Sequence, residues 1–94
     1  MNMSRKKHTC LGDNLKIIRI YNKIYQHKIA KSLHVERCTY TNWELSKTEP
    51  SFNDLQNIVE FYNNLESCDL EVDYNMLLSK PLTNADLNLY KRKE

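Results

Sequence analysis

The chain has 94 residues, 40% of them apolar and 28% charged, with a formal net charge of +2, one Gly and two Pro. That length sets one domain around one small core. A single glycine excludes a P-loop and a Gly-rich dinucleotide loop, and so few turn formers argue against an all-β fold, leaving short helices joined by short turns.

Residues 1–10 are polar and basic, with Arg5, Lys6 and Lys7 in a row, and read as a flexible basic arm. Such an arm can attract a polyanion or simply keep the chain soluble. Leu11, Leu15 and Ile18 then fall at i, i+4 and i+7, which predicts a first helix over 13–23. Ile29, Ala30 and Leu33 predict a second over 26–33, and Tyr40 and Trp43 a third over 37–45. Trp43 reads as core by its helical spacing. Helices this short are marginal alone and must pack on one another. The few residues between the second and third are the turn of a helix-turn-helix arrangement.

Ser51 followed three residues later by Asp54 is a capping-box start. Leu55, Ile58, Val59 and Tyr62 carry the clearest helical period, predicting a fourth helix over 52–63. Residues 63–71 are acidic and loop-like. Asp73 can cap a short helix carrying Met76, Leu77 and Leu78, and Thr83 or Asn84 can cap a last one with Leu87 and Tyr90 on one face. The closing Lys91, Arg92 and Lys93 complement a helix C-terminus.

Charge divides unevenly: residues 1–50 carry ten Lys/Arg against four Asp/Glu, and residues 51–94 four against eight. A basic half attracts polyanions, although two ordinary solvated faces give the same count. Cys10, Cys38 and Cys68 are too few and too far apart for a disulfide framework and fit a reducing cytoplasm. His8 and Cys10 lack the further ligands of a zinc site. No apolar run reaches membrane-span length. His8, His27 and His34 have no nucleophile and orienting acid arranged around them, so no catalytic set and no cofactor are expected.

Several linked positions carry a resemblance. They are Leu11-Gly12 with Leu15, Ile18 and Arg19, then Tyr25-Gln26 with Ile29-Ala30 and Leu33-His34-Val35. Thr39-Tyr40, Trp43-Glu44, Lys47 and Pro50-Ser51 follow, then Leu55 and Ile58, and Val72 to Leu78 after extra residues at 64–71. In this order and spacing the chain resembles the phage-repressor (Cro-like, XRE-type) helix-turn-helix family over about two thirds of its length. It departs from that family's pattern at His34 and Ser46, which stand where glycines are usual, and at Glu36, which begins the third helix in place of a Ser.

The resemblance implies an all-α, compact bundle of five or six short helices, a lambda-repressor-like helix-turn-helix domain over 11–79 with a C-terminal helical tail over 80–94. It also implies a sequence-specific regulator of transcription, a repressor, reading double-stranded DNA as a homodimer with helix 37–45 in the major groove. By position, the base-reading residues are Glu36, Arg37, Cys38, Thr41 and Asn42. Arg37 suits guanine and Asn42 suits adenine, each through two hydrogen bonds; Cys38 suits a thymine methyl and Glu36 a cytosine amine. Phosphate contacts fall to Gln26, Lys28, Thr39 and Lys47, and an ion pair between Arg19 and Glu44 is implied inside the domain. Leu82, Leu87, Leu89 and Tyr90 are the expected dimer surface. The alternative reading is an antitoxin-like interaction module whose acidic C-terminal part holds a partner protein.

Overall fold

A computed structural model describes residues 10–92. The basic run Arg5–Lys7 and Lys93 lie outside them. Six α-helices follow one another: α1 (Leu11–Tyr21), α2 (Gln26–Ser32), α3 (Arg37–Glu44), α4 (Phe52–Asn64), α5 (Tyr74–Leu78) and α6 (Asn84–Leu87), with a 3-10 turn at Asn88–Tyr90. The chain is thus an all-α bundle. No helix among the described residues is long and apolar enough to cross a membrane.

α1 starts two residues earlier than the periodicity predicts, so Gly12 lies within its first turn. A Cβ on Gly12 would lie 2.7 Å from the Trp43 and Glu44 carbonyl oxygens and from Ser46 Oγ. The first turn of α1 therefore presses on the end of α3 at a distance only glycine permits. Asn14 falls on the same stripe as Leu11, Leu15 and Ile18 and is fully buried. Its Nδ2 donates to the Leu77 and Lys80 carbonyls, both at 2.9 Å, and its Oδ1 accepts from the Leu82 N–H at 2.8 Å. One side chain thereby ties the α5–α6 connection to α1 and satisfies three backbone groups, two of them buried.

The first three helices end alike. Lys23, His34 and Ser46 have φ of 59°, 62° and 63°. At each, two backbone bonds close the helix: Lys23 to Ile20 and Ile24 to Arg19, His34 to Lys31 and Val35 to Ala30, Ser46 to Trp43 and Lys47 to Asn42. This is the Schellman motif, which favours glycine at the left-handed position. Here the motif is made three times without one, so the usual glycine conformation is kept at His34 and Ser46 by residues less suited to it.

α4 opens with the predicted capping box: Ser51 Oγ accepts from the Asp54 N–H and the Asp54 carboxylate from the Ser51 N–H, both at 3.0 Å. Asp73 caps α5 through the Met76 N–H at 2.8 Å. Thr83 and Asp86 form a second capping box on α6.

The C-terminal segment differs from expectation. α6 stops at Leu87, and residues 69–71 and 90–92 run antiparallel, with Glu71 N–H to Tyr90 O at 2.7 Å and Arg92 N–H to Asp69 O at 2.8 Å. The Arg92 guanidinium donates to the Leu70, Tyr62 and Asn63 carbonyls at 3.1, 3.2 and 2.7 Å. Arg92 does complement a helix C-terminus, but that of α4, whose last carbonyls have no partner within the helix. Leu82 and Leu87 are buried in the core with Leu70, Met76 and Leu77, and Tyr90 is half-buried against it. The expected dimer surface is corrected accordingly: of its four residues only Leu89 is a freely exposed apolar side chain.

Because His34 occupies a left-handed C′ position, His34→Gly should stabilise the fold by about 0.5–1 kcal/mol. Urea unfolding checks this; the midpoint rises with an unchanged slope.

Candidate nucleic-acid interface

The α2–turn–α3 unit is held from behind by a buried polar chain. Arg19 Nε donates to Glu44 Oε2 at 2.6 Å, and its second terminal nitrogen to Glu44 Oε1 at 3.1 Å. The remaining guanidinium nitrogen reaches the Ile24 carbonyl at 2.9 Å. The two side chains are 13% and 2% exposed, so the pair is shielded from water. Glu44 Oε1 also accepts from Gln26 Nε2, and Gln26 Oε1 accepts from the Thr41 hydroxyl, each at 3.0 Å. Four residues from α1, α2 and α3 thus share one network.

Burial pushes the Glu44 carboxyl up, but Arg19 above all, then the neighbouring Tyr40 hydroxyl and Gln26, outweigh it and hold it below its ordinary value of 4.5. The bond from Glu44 raises the Arg19 guanidinium further. Tyr40 and Tyr62 are fully buried nearby, and neither hydroxyl has a hydrogen-bond partner among the described residues. Burial drives both phenols well above their ordinary range, so they stay neutral.

Tyr40, Trp43 and Glu44 form the inward face of α3, with Tyr40 and Trp43 packed edge to face at 5.8 Å. Trp43 is therefore core, as its spacing predicts. The outward face carries Arg37 and Cys38, both exposed, and Asn42, half-buried. Cys38 and Asn42 are one turn apart and so lie on one stripe. Their side chains and that of Arg37 make no hydrogen bond to other described residues. Glu36 is the exposed N-cap of α3 and forms no side-chain cap, so the first N–H groups of α3 lack a side-chain partner.

Thr41 is the exception on this face, since its hydroxyl is committed to Gln26. Gln26 is half-buried at the first position of α2, with its oxygen and one N–H already engaged. Among the described residues its amide keeps a single unengaged N–H. Lys28 and Lys47 are exposed, Lys28 on the first turn of α2 and Lys47 just past α3, while Thr39 is half-buried.

Three features escape the sequence reading. The Gln26–Thr41 bond joins two polar residues fifteen apart, which no periodicity marks. Leu45 is 58% exposed at the end of α3, one turn beyond Thr41. Tyr25 is 73% exposed and stacks on His27 at the start of α2, with ring centroids 5.7 Å apart. Asn14 also escapes that reading, although a polar residue on the stripe of Leu11, Leu15 and Ile18 is a signal that could have found it.

Comparison with known proteins returns no matching family model, no matching curated protein and no matching solved structure.

Glu44→Gln should cost about 3 kcal/mol at neutral pH, because it leaves the Arg19 charge buried without its counter-ion. Glu44 is depressed in the fold, so its stabilisation is fully present above its ordinary value and is lost as pH falls through the folded value. The stability gap between wild type and Glu44→Gln should be constant above about pH 5 and close on acidification, as read by urea melts across pH. Tyr62→Phe removes an unpartnered buried hydroxyl and should raise stability by about 1 kcal/mol in the same assay.

Proposed function

We propose that the chain is a sequence-specific DNA-binding regulator of the phage-repressor helix-turn-helix type, acting as a repressor in the cytoplasm by occupying operator DNA. The observation that carries this reading is the pairing of α2 and α3. Their inner sides are locked to α1 by Arg19, Glu44, Gln26 and Thr41, while the side chains of Arg37, Cys38 and Asn42 make no hydrogen bond to other described residues. A rigid helix with unengaged hydrogen-bonding side chains on one face suits the major groove. The N-terminal half of α3 reads the bases, with Arg37 on guanine, Asn42 on adenine, Cys38 on a thymine methyl and Glu36 on a cytosine amine. Thr41, bound to Gln26, positions that residue and offers its methyl group to a base.

Lys28, Lys47, Thr39 and the free N–H of Gln26 supply the phosphate contacts that fix register. One recognition helix covers a half-site, so the active form is a homodimer. An antitoxin-like role through the acidic C-terminal part draws less support. That part is folded into the core through Asn14 and Arg92, and exposed acids alone specify no partner.

Selection of binding sites from random duplexes, followed by titration at two salt concentrations, tests the reading. Affinity for the selected site should fall steeply with salt and exceed that for scrambled DNA. Arg37→Ala should lose roughly 1–3 kcal/mol of discrimination at one base position, whereas Lys47→Ala should weaken all sequences alike. Binding without sequence preference, or insensitive to salt, overturns the reading.

A further inference from the structure

We propose that the cleft between the end of α2 and one face of α4 binds a small organic cation, an ammonium carried on an apolar body. The cleft has a volume of about 390 Å³. That is more than twice the roughly 150 Å³ that holds a benzene molecule, so a ring with a short charged arm fits. Leu33, Phe61 and Leu65 make the apolar part of its wall. Leu33 is buried, and the other two are half-buried against the core. Asn57, Glu60, Phe61 and Asn64 stand at i, i+3, i+4 and i+7 on α4, so a single stripe of that helix lines the space.

The polar part of the wall selects the charge of the ligand. Glu60 is exposed and takes part in no ion pair among the described residues. No Lys or Arg lines the cleft beside it. Asn64 and His34 are exposed and Asn57 is half-buried, and the side chains of all three make no hydrogen bond to other described residues. Each can turn an acceptor toward an ammonium that Glu60 holds. The C-terminal end of α2 opens onto the same space, and such an end favours a cation. The end of α4 contributes less, because Arg92 already takes the Tyr62 and Asn63 carbonyls. An anion would meet Glu60 with no positive side chain to receive it. Of the three residues held at positive φ, His34 is the one that lines the cleft. Glycine would suit that turn better but would remove the imidazole from the wall, and a costly conformation is kept where the side chain serves something else.

The site stands on the cleft alone and does not depend on the DNA reading, so the test uses the full chain without DNA. Phenethylamine is titrated into nitrogen-15-labelled protein at neutral pH, and the backbone amide chemical shifts are followed. Shifts should cluster at residues 32–34 and 57–65 and saturate with a Kd on the order of 1 mM. Phenylacetate, a similar ring and arm with the opposite charge, should move none of them. Glu60→Gln should weaken binding about tenfold. His34→Gly should weaken it about threefold, although it favours the turn. Both variants should keep the wild-type spectrum away from the cleft. An absence of saturation up to about 20 mM overturns the proposal. So do shifts centred on other residues, equal binding of phenylacetate, or an affinity unchanged in either variant.

Discussion

The Arg19–Glu44 pair is the constraint on which the arrangement of α1, α2 and α3 depends. Two charges removed from water are tolerable only when their lone pairs and protons are satisfied in good geometry. That demand recruits the Ile24 carbonyl, Gln26 and, through Gln26, Thr41. Each recruit comes from a different element, so shifting any of these elements breaks a buried bond. Gly12 adds a steric limit at the other end of α1, where the backbone of α3 leaves no room for a side chain. The angle between α2 and α3 is consequently set from the inside, by a network centred on the buried Glu44 carboxylate.

The distal half is organised on a different principle. α5 and α6 are too short to bury much surface individually, and their positions are fixed by backbone groups bound to side chains from elsewhere. Asn14 holds the α5–α6 connection from below, Asn63 pairs with both backbone groups of Val72, and Arg92 gathers three carbonyls around the end of α4. Such bonds replace the long helix–helix contacts a larger domain would use. They also explain why the acidic 63–71 segment, irregular as it is, remains attached to the core through buried Cys68, Leu70 and Val72.

How much of this the sequence discloses varies with the physics of each feature. Local signals are legible: the Ser51–Asp54 box, the Asp73 cap, the burial of Trp43 and the stripe of α1 all depend on residues within one or two turns. The short gap between the second and third helices is equally plain from where the apolar pattern breaks, whereas the left-handed residue within it, His34, is anticipated only from the family resemblance. Contacts across the chain are not legible in this way. The burial of Leu82 and Leu87 depends on Asn14, nearly seventy positions earlier, and a terminal apolar pair looks the same in sequence whether it meets a partner or its own core. Thr41 likewise looks free until Gln26 is placed beside it. The Arg19–Glu44 pair could be anticipated only from family resemblance, since nothing local distinguishes those two residues from other surface charges.

One feature bears on how such a protein can change over generations. Arg37 and Cys38 have no role in holding the domain together, while Thr41 and Glu44, on the same short helix, are bound into its interior. Substitutions at exposed positions without internal partners cost little stability, usually within about 0.5 kcal/mol. On the proposed reading of α3, recognition can be rewritten at 37 and 38 by single mutations that leave the scaffold intact, whereas 41 and 44 are confined by their neighbours. A lineage carrying this fold has a few letters open to revision and the rest of the helix held in place.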